Sequence, residues 1–230
     1  MKSKLLVLLA ATLALPLLTA CETEEDRAIA GAEACINRAT SGNVSEANAC
    51  MAKVAGMTSE DAYLIRCSAH FIAQNISEST LSTGFATIKN ANSGGVPSMT
   101  FAMSYLLFAN IAGHDINSSL SDCNLSGAVS LYKIVQLSSL ANTFDLGGLL
   151  MPGASPTDLA SAIANFNTNA TPQELAEAGA KVLEIKGTFC DNGGTFSGTD
   201  ICNKVNQAVA TAGSNPQAIG DLIADYLDNI

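Results

Sequence analysis

Basic residues are scarce in this chain: 11 lysines and arginines stand against 21 aspartates and glutamates, a formal charge of −10 over 230 residues. Nucleic-acid binding needs a basic footprint, and none is present. The only histidines are His70 and His114, neither at ligand spacing, and no Cys-x-x-Cys occurs. A zinc site therefore has too few ligands, and no metal or other cofactor is expected. Gly-x-Ser-x-Gly elbows, His-Glu-x-x-His pairs and Walker loops are all missing. Alternating polar–apolar runs of strand composition are few, while alanine, a good helix former, is abundant. What remains is an acidic, helix-forming, non-catalytic chain.

The N-terminus is the most specific feature present. Met1-Lys2-Ser3-Lys4 carries two positive charges and leads into an almost wholly apolar stretch from Leu5 to Leu18. That is the pattern of a secretory signal, too short for a comfortable spanning helix. Leu18-Thr19-Ala20-Cys21 closes it and resembles the lipobox of bacterial lipoproteins. The resemblance implies cleavage after Ala20, a diacylglycerol thioether on Cys21 and acylation of the new amine, palmitate being a typical chain. Two or three chains, at roughly 0.8 kcal/mol per buried methylene, hold a protein almost permanently in one leaflet. Glu22 follows the cysteine where an aspartate would favour inner-membrane retention, so the outer membrane and a periplasm-facing body are expected. The organisation read from this is a signal peptide over 1–20, a short acidic tether over 21–26, and one helical domain over 27–230. Without Lys2 and Lys4 the formal charge of −10 becomes −12. The body itself is then not drawn to anionic lipid.

Six cysteines remain beyond the anchor: Cys35, Cys50, Cys67, Cys123, Cys190 and Cys202. An even number in an exported chain reads as disulfides, with 15 possible connectivities. Cys35 and Cys50 lie seven residues before and eight after Gly42. A helical hairpin turning at Ser41-Gly42-Asn43 brings them together. Cys190 and Cys202 bracket the polar stretch Asp191 to Asp200, a closed surface loop, which leaves Cys67 and Cys123 to pair by elimination.

Helix punctuation recurs along the chain. Ser155-Pro156-Thr157-Asp158 and Thr171-Pro172-Gln173-Glu174 each place a hydroxyl before proline, with a carboxylate at the third helical position. Helices are expected near 24–41, 45–56, 60–76, 79–91, 97–112, 124–143, 156–166, 172–187, 200–212 and 216–229. The fold class is all-α: a multi-helix bundle or stacked helical hairpins of nine or ten helices, stabilised by disulfides. Gly42-Asn43-Val44-Ser45-Glu46-Ala47 resembles the turn of a tetratricopeptide repeat, with Met51 and Val54 where that family packs. The likeness spans residues near 28–60 and implies one helical hairpin. Gly31 and Cys35 depart from the pattern, as does Ser59 near the place of the closing proline, and no second copy follows at the 34-residue period.

The middle is nearly free of charge. From Asn90 to Thr157 the only charges are Asp115, Asp122, Lys133 and Asp145. Met99 to Ala109 is apolar almost all round and reads as a buried core helix. Phe144 to Gly153 reads as a flexible apolar loop. A charge at Phe101 or Phe108 is expected to unfold the core, and one at Phe144 to be tolerated.

Near-misses of catalytic motifs are few. Ser130-Leu131-Tyr132-Lys133 matches the Ser-x-x-Lys of penicillin-recognising enzymes, but Lys186-Gly187-Thr188 has the wrong order for their third motif. His114-Asp115 is expected in a solvated turn and His70 on a partly buried helix face. The Asp191–Asp200 stretch lacks the ligand spacing of a calcium loop. The function expected is a lipid-anchored envelope module that binds a protein partner without catalysis. The alternative is a carrier whose apolar pocket is lined by Met99, Phe101, Met103, Phe108 and Phe144.

Overall fold

The computed structural model describes residues 23–90, 108–109, 111–144, 156–191, 194 and 197–228. Among them the chain is all helical, without a strand. The α-helices are α1 (Glu24–Ile36), α2 (Val44–Ala52), α3 (Glu60–Ala73), α4 (Glu78–Asn90), α5 (Ile116–Leu125), α6 (Val129–Thr143), α7 (Pro156–Asn169), α8 (Pro172–Ile185), α9 (Asp200–Ala212) and α10 (Pro216–Asp228). A π-helical turn, Lys186–Cys190, extends α8.

The helix starts follow the local chemistry. Thr23 and Asp26 form a capping box on α1, and Thr171 and Glu174 form one on α8, each satisfying donors that the first turn leaves unpaired. The Asn43 side-chain oxygen Oδ1 accepts from the Glu46 N–H and caps α2. Asp115 accepts from the N–H groups of Asn117 and Ser118 and starts α5.

Two groups of helices share α6. Helices α1, α2 and α3 pack on one another, α3 packs on α5, and α5 on α6. From α6 the chain of contacts continues to α8, then α10, which also holds α7 and α9. Ile134 and Val135 of α6 join Phe71, Phe108 and the Cys67–Cys123 pair in one cluster. Leu140, Ala141 and the following Phe144 join Phe166, Phe189, Ile163, Ile219 and Ile223 in another. Leu137 packs against both.

All six body cysteines pair as spacing suggested: Cys35–Cys50, Cys67–Cys123 and Cys190–Cys202, with Cα separations of 5.4, 4.8 and 5.2 Å. A bridge closing about 15 residues contributes roughly 3 kcal/mol in the chain-entropy model.

Several boundaries differ from expectation. Helix α1 ends at Ile36 instead of 41, because the N–H of Gly42 bonds the Ile72 carbonyl of α3 and draws the connection out of helix. Gly42 has φ +83° there, a conformation that suits glycine. Helix α5 was missed, although Asp115 followed by Ser118 is a recognisable cap, and α6 starts at 129 instead of 124. Phe108 and Ala109 are not helical, and 111–115 forms a turn, so the expected 97–112 helix does not reach its C-terminal end. Residues 91–107, including Met99, Phe101 and Met103, lie outside the described residues, as does the 145–155 stretch and Cys21. Phe144 is a clear correction. It caps α6 with no exposure and stacks edge-on to Phe166 at 5.2 Å, so it belongs to the core.

The closest helix crossing is α8 on α10. A Cβ at Gly179 would lie 1.7 Å from the Pro216 carbonyl oxygen, and one at Gly220 2.0 Å from that of Leu175. Mid-helix glycine costs up to about 1 kcal/mol relative to alanine, which the direct backbone approach offsets here. Gly179→Ala must push α8 and α10 apart and should cost about 3 kcal/mol in urea unfolding; an unchanged midpoint would refute the contact. Phe144→Asp should destabilise by about 4 kcal/mol or leave no cooperative transition, since it strands a carboxylate in a buried cluster of phenylalanine and isoleucine side chains. A well-folded, fully stable Phe144→Asp protein would show that the second cluster is not a packed core.

Candidate functional site

Arg66, His70 and Gln74 recur at every fourth position along α3 and its C-cap, so they share one face. On that face they build the most extensive polar network of the described core. His70 and His114 are both fully buried, and their Nδ1 atoms meet at 3.1 Å. The other nitrogen of His70, Nε2, lies 3.0 Å from Asp122 Oδ2 on α5. Asp122 Oδ1 accepts from Arg66 Nε at 3.2 Å, and Arg66 Nη1 donates to the carbonyls of Val54 and Met57. At the far end, His114 Nε2 lies 3.2 Å from Asn48 Oδ1 on α2. Five side chains from α2, α3, α5 and the turn before α5 thus form one chain of bonds.

Gln74 anchors the turn that carries His114. Its Nε2 donates to the carbonyls of Ala109 and His114, and its Oε1 accepts from the Ala109 N–H. Asp115, the α5 cap, then sets where His114 stands relative to α5. The Cys67–Cys123 bridge joins the residues immediately after Arg66 and Asp122 and holds the two sides in register. His114 is therefore no solvated turn residue, and His70 is wholly rather than partly buried. The spacing of Arg66, His70 and Gln74 was visible in the sequence; their partner Asp122, 52 residues beyond His70, was not.

The electrostatics follow from burial and pairing. Burial alone would raise the Asp122 carboxyl, but the hydrogen bonds and charges of His70 and Arg66 outweigh it and hold the group below its ordinary value. Burial, with the neighbouring His70 charge, lowers the affinity of His114 for a proton; the Asp115 carboxylate opposes this and is outweighed. Asp115 itself is held low, its burial outweighed by the bonds from Ser118 and Asn117. The imidazole centroids lie 5.1 Å apart, about as far as two rings facing along a shared bond can reach. One Nδ1 donates its N–H and the other accepts, so the two rings use these atoms on each other. No group of three metal-ligating side chains occurs among the described residues.

Both ends of the network, Asn48 and Arg66, line an open, mainly apolar cleft of about 520 Å³ that also takes in Met51, Ala55, Met57 and Tyr63. Arg66 stacks on Tyr63, 4.3 Å from the ring centre. Of the sequence-expected pocket residues, Phe108 and Phe144 fall among the described ones, and they lie in different clusters. Phe108 packs edge-on to Phe71 at 5.7 Å in the first cluster, whereas Phe144 closes the second. Ser130 is exposed on α6, and Lys133 lies over the Phe189 ring at 5.8 Å. Asp191 pairs with Lys186. Comparison with protein-family models, curated proteins and solved structures finds no match to this chain.

Both His114 and Asp122 bind a proton less readily in the fold than in the unfolded chain. On acidification the unfolded chain therefore takes up more protons, and stability falls. It should be complete above about pH 6.5, decline as His114 is forced to protonate, and decline again below about pH 4 as Asp122 does. Asp122→Asn should cost about 3 kcal/mol at pH 7, because a single amide oxygen replaces the charged carboxylate that pairs with both Arg66 and His70, and should flatten the lower limb. Urea midpoints from pH 7.5 to 3.5 read both effects; a midpoint at pH 7 equal to that of the unsubstituted protein would count against this account.

Proposed function

We propose that this protein is a lipid-anchored lipoprotein of the bacterial envelope, held by acyl chains on Cys21 and acting as a non-catalytic module that binds another envelope protein. The observation that carries the anchor is the cysteine arithmetic. Every cysteine beyond Cys21 has a disulfide partner, so the seventh is the odd one, and it stands where the lipobox resemblance needs it. Three bridges also suit an oxidising compartment outside the cytoplasm. Among the described residues, no helix is long and apolar enough to cross a membrane. The acyl chains are then the membrane attachment, with the outer membrane as its place where the host has one.

The interaction reading is supported by what the body leaves on its surface. The cleft beside α2 and α3 is walled by Met51 and Met57, whose flexible thioethers adapt to a partner. Leu64, Leu125 and Val129 are exposed at 38, 47 and 62 %. Leu125 and Val129 flank Gly127, where a Cβ would sit 3.8 Å from the Glu60 carboxylate, one helical turn from Leu64. Three apolar side chains thus gather at one corner of the fold. The carrier reading draws less support, since Phe108 and Phe144 each fill a closed cluster.

Metabolic labelling with an alkyne palmitate should mark the full-length protein, which should partition into detergent, while Cys21→Ser should be unlabelled. Label persisting on Cys21→Ser, or absent from the unsubstituted protein, would remove the anchor. Cross-linking in cells followed by mass spectrometry then tests the module: one reproducible envelope protein supports it, and a stoichiometric apolar molecule with no protein supports the carrier instead.

A further inference from the structure

We propose that the His70–His114 pair is an acid-triggered latch, which releases the 111–115 turn and Ala109 from α3 while the disulfides keep the remaining fold closed. The argument is a count of protons. Two neutral imidazoles carry two N–H groups on four ring nitrogens. The bonds to Asp122, between the rings, and to the Asn48 carbonyl need three. With the Asn48 oxygen towards His114 three N–H groups are needed, and with its NH₂ turned there two suffice and the pair is neutral. Both of these states keep every bond. A fourth proton puts two N–H groups nose to nose at 3.1 Å in a site without solvent, and the bond between the rings must break.

The surroundings set the direction of the response. Charged groups facing the pair are Arg66 on α3 itself, Asp122 on α5 and Asp115 at the α5 cap. Helix α2 faces it with the uncharged Asn48, and α1 packs on α3 through Ile29, Ala32 and Ile36. The carboxylate of Asp122 is already shared with Arg66, so it cannot neutralise two imidazolium rings. Protons have a short way in: Asn48 is exposed and touches His114 directly. The lowered proton affinity of His114 places the release below its ordinary value of about 6.5.

What opens is decided by what is tied down. The Cys67–Cys123 bridge keeps α5 on α3 when the ring pair parts. The turn, by contrast, is held to α3 chiefly by His114 and the Gln74 bonds to Ala109 and the His114 carbonyl. Because Asn48 and Arg66 also line the methionine cleft, the open and closed states give that cleft different walls.

Hydrogen exchange read by mass spectrometry, on the full chain with its disulfides intact, tests the latch. After correction for intrinsic exchange, protection of Ala109 and 111–115 should fall by about tenfold per pH unit between pH 6.5 and 4.5. Protection in α8 and α10 should hold over the same range. His114→Gln, which cannot take up a proton, should remove the pH dependence. Should that variant not fold, ring-nitrogen NMR of the unsubstituted protein substitutes for it: the His114 nitrogens should titrate in step with the exchange. Constant protection down to pH 4.5, loss in parallel with α8 and α10, an unchanged pH dependence in His114→Gln, or histidine shifts that do not follow the exchange would each overturn the proposal.

Discussion

Asp122 is the residue on which the N-terminal half of the fold turns. Its carboxylate, half-buried between Arg66 and His70, joins α5 to α3, and the adjacent Cys123 repeats the connection covalently through Cys67. A buried charge without partners would be strongly destabilising; here both oxygens are taken and each partner is satisfied in turn. Arg66 spends its remaining donors on the Val54 and Met57 carbonyls and so fixes the α2–α3 connection as well. His70 passes the constraint to His114, and through it to the turn before α5. One carboxylate therefore organises side chains from three helices and the turn before α5, together with two backbone carbonyls of the α2–α3 connection.

The C-terminal half is organised differently. It has no buried ion pair of this kind among the described residues, and it relies on shape. Gly179 and Gly220 let α8 and α10 approach backbone to backbone, and phenylalanines from the ends of α6 and α7 and from the π turn fill the space beside them. Helix α6 serves both halves, with Ile134 and Val135 on one cluster and Leu140 and Ala141 on the other. Helix α6 carries one charged side chain, Lys133, which suits that position, because a helix packed on both sides has little room for ions.

In the proposed setting these two halves have different work. The acidic body is kept at the membrane by acyl chains instead of charge, and its adaptable surface lies around α2, α3 and the α5–α6 turn. The half that holds the ionisable network is the half that can answer to pH. The other half, built from apolar contacts and a third disulfide, has few means of doing so.

Much of the fold was legible in one dimension. Thr171-Pro172-Gln173-Glu174 starts its helix by contacts three residues apart, and Cys190–Cys202 closes a loop of twelve, so both follow from local spacing. Local sequence determined the all-helical class, most helix starts, the Cys35–Cys50 and Cys190–Cys202 pairs and the candidate anchor at Cys21, because each rests on near neighbours along the chain, and Cys67–Cys123 followed by elimination. Helix α5 has a local start in its Asp115 cap, whereas a tertiary partner sets the burial of Phe144 and the end of α1: Phe166 across the core, and the Ile72 carbonyl 30 residues from Gly42. The histidine network is the extreme case. His70, His114, Asp122 and Asn48 are unremarkable where they stand in the sequence, and only the packing of α2, α3 and α5 removes the water that would otherwise separate them. Burial is a property of three-dimensional surroundings, and it is burial that turns these ordinary side chains into a site.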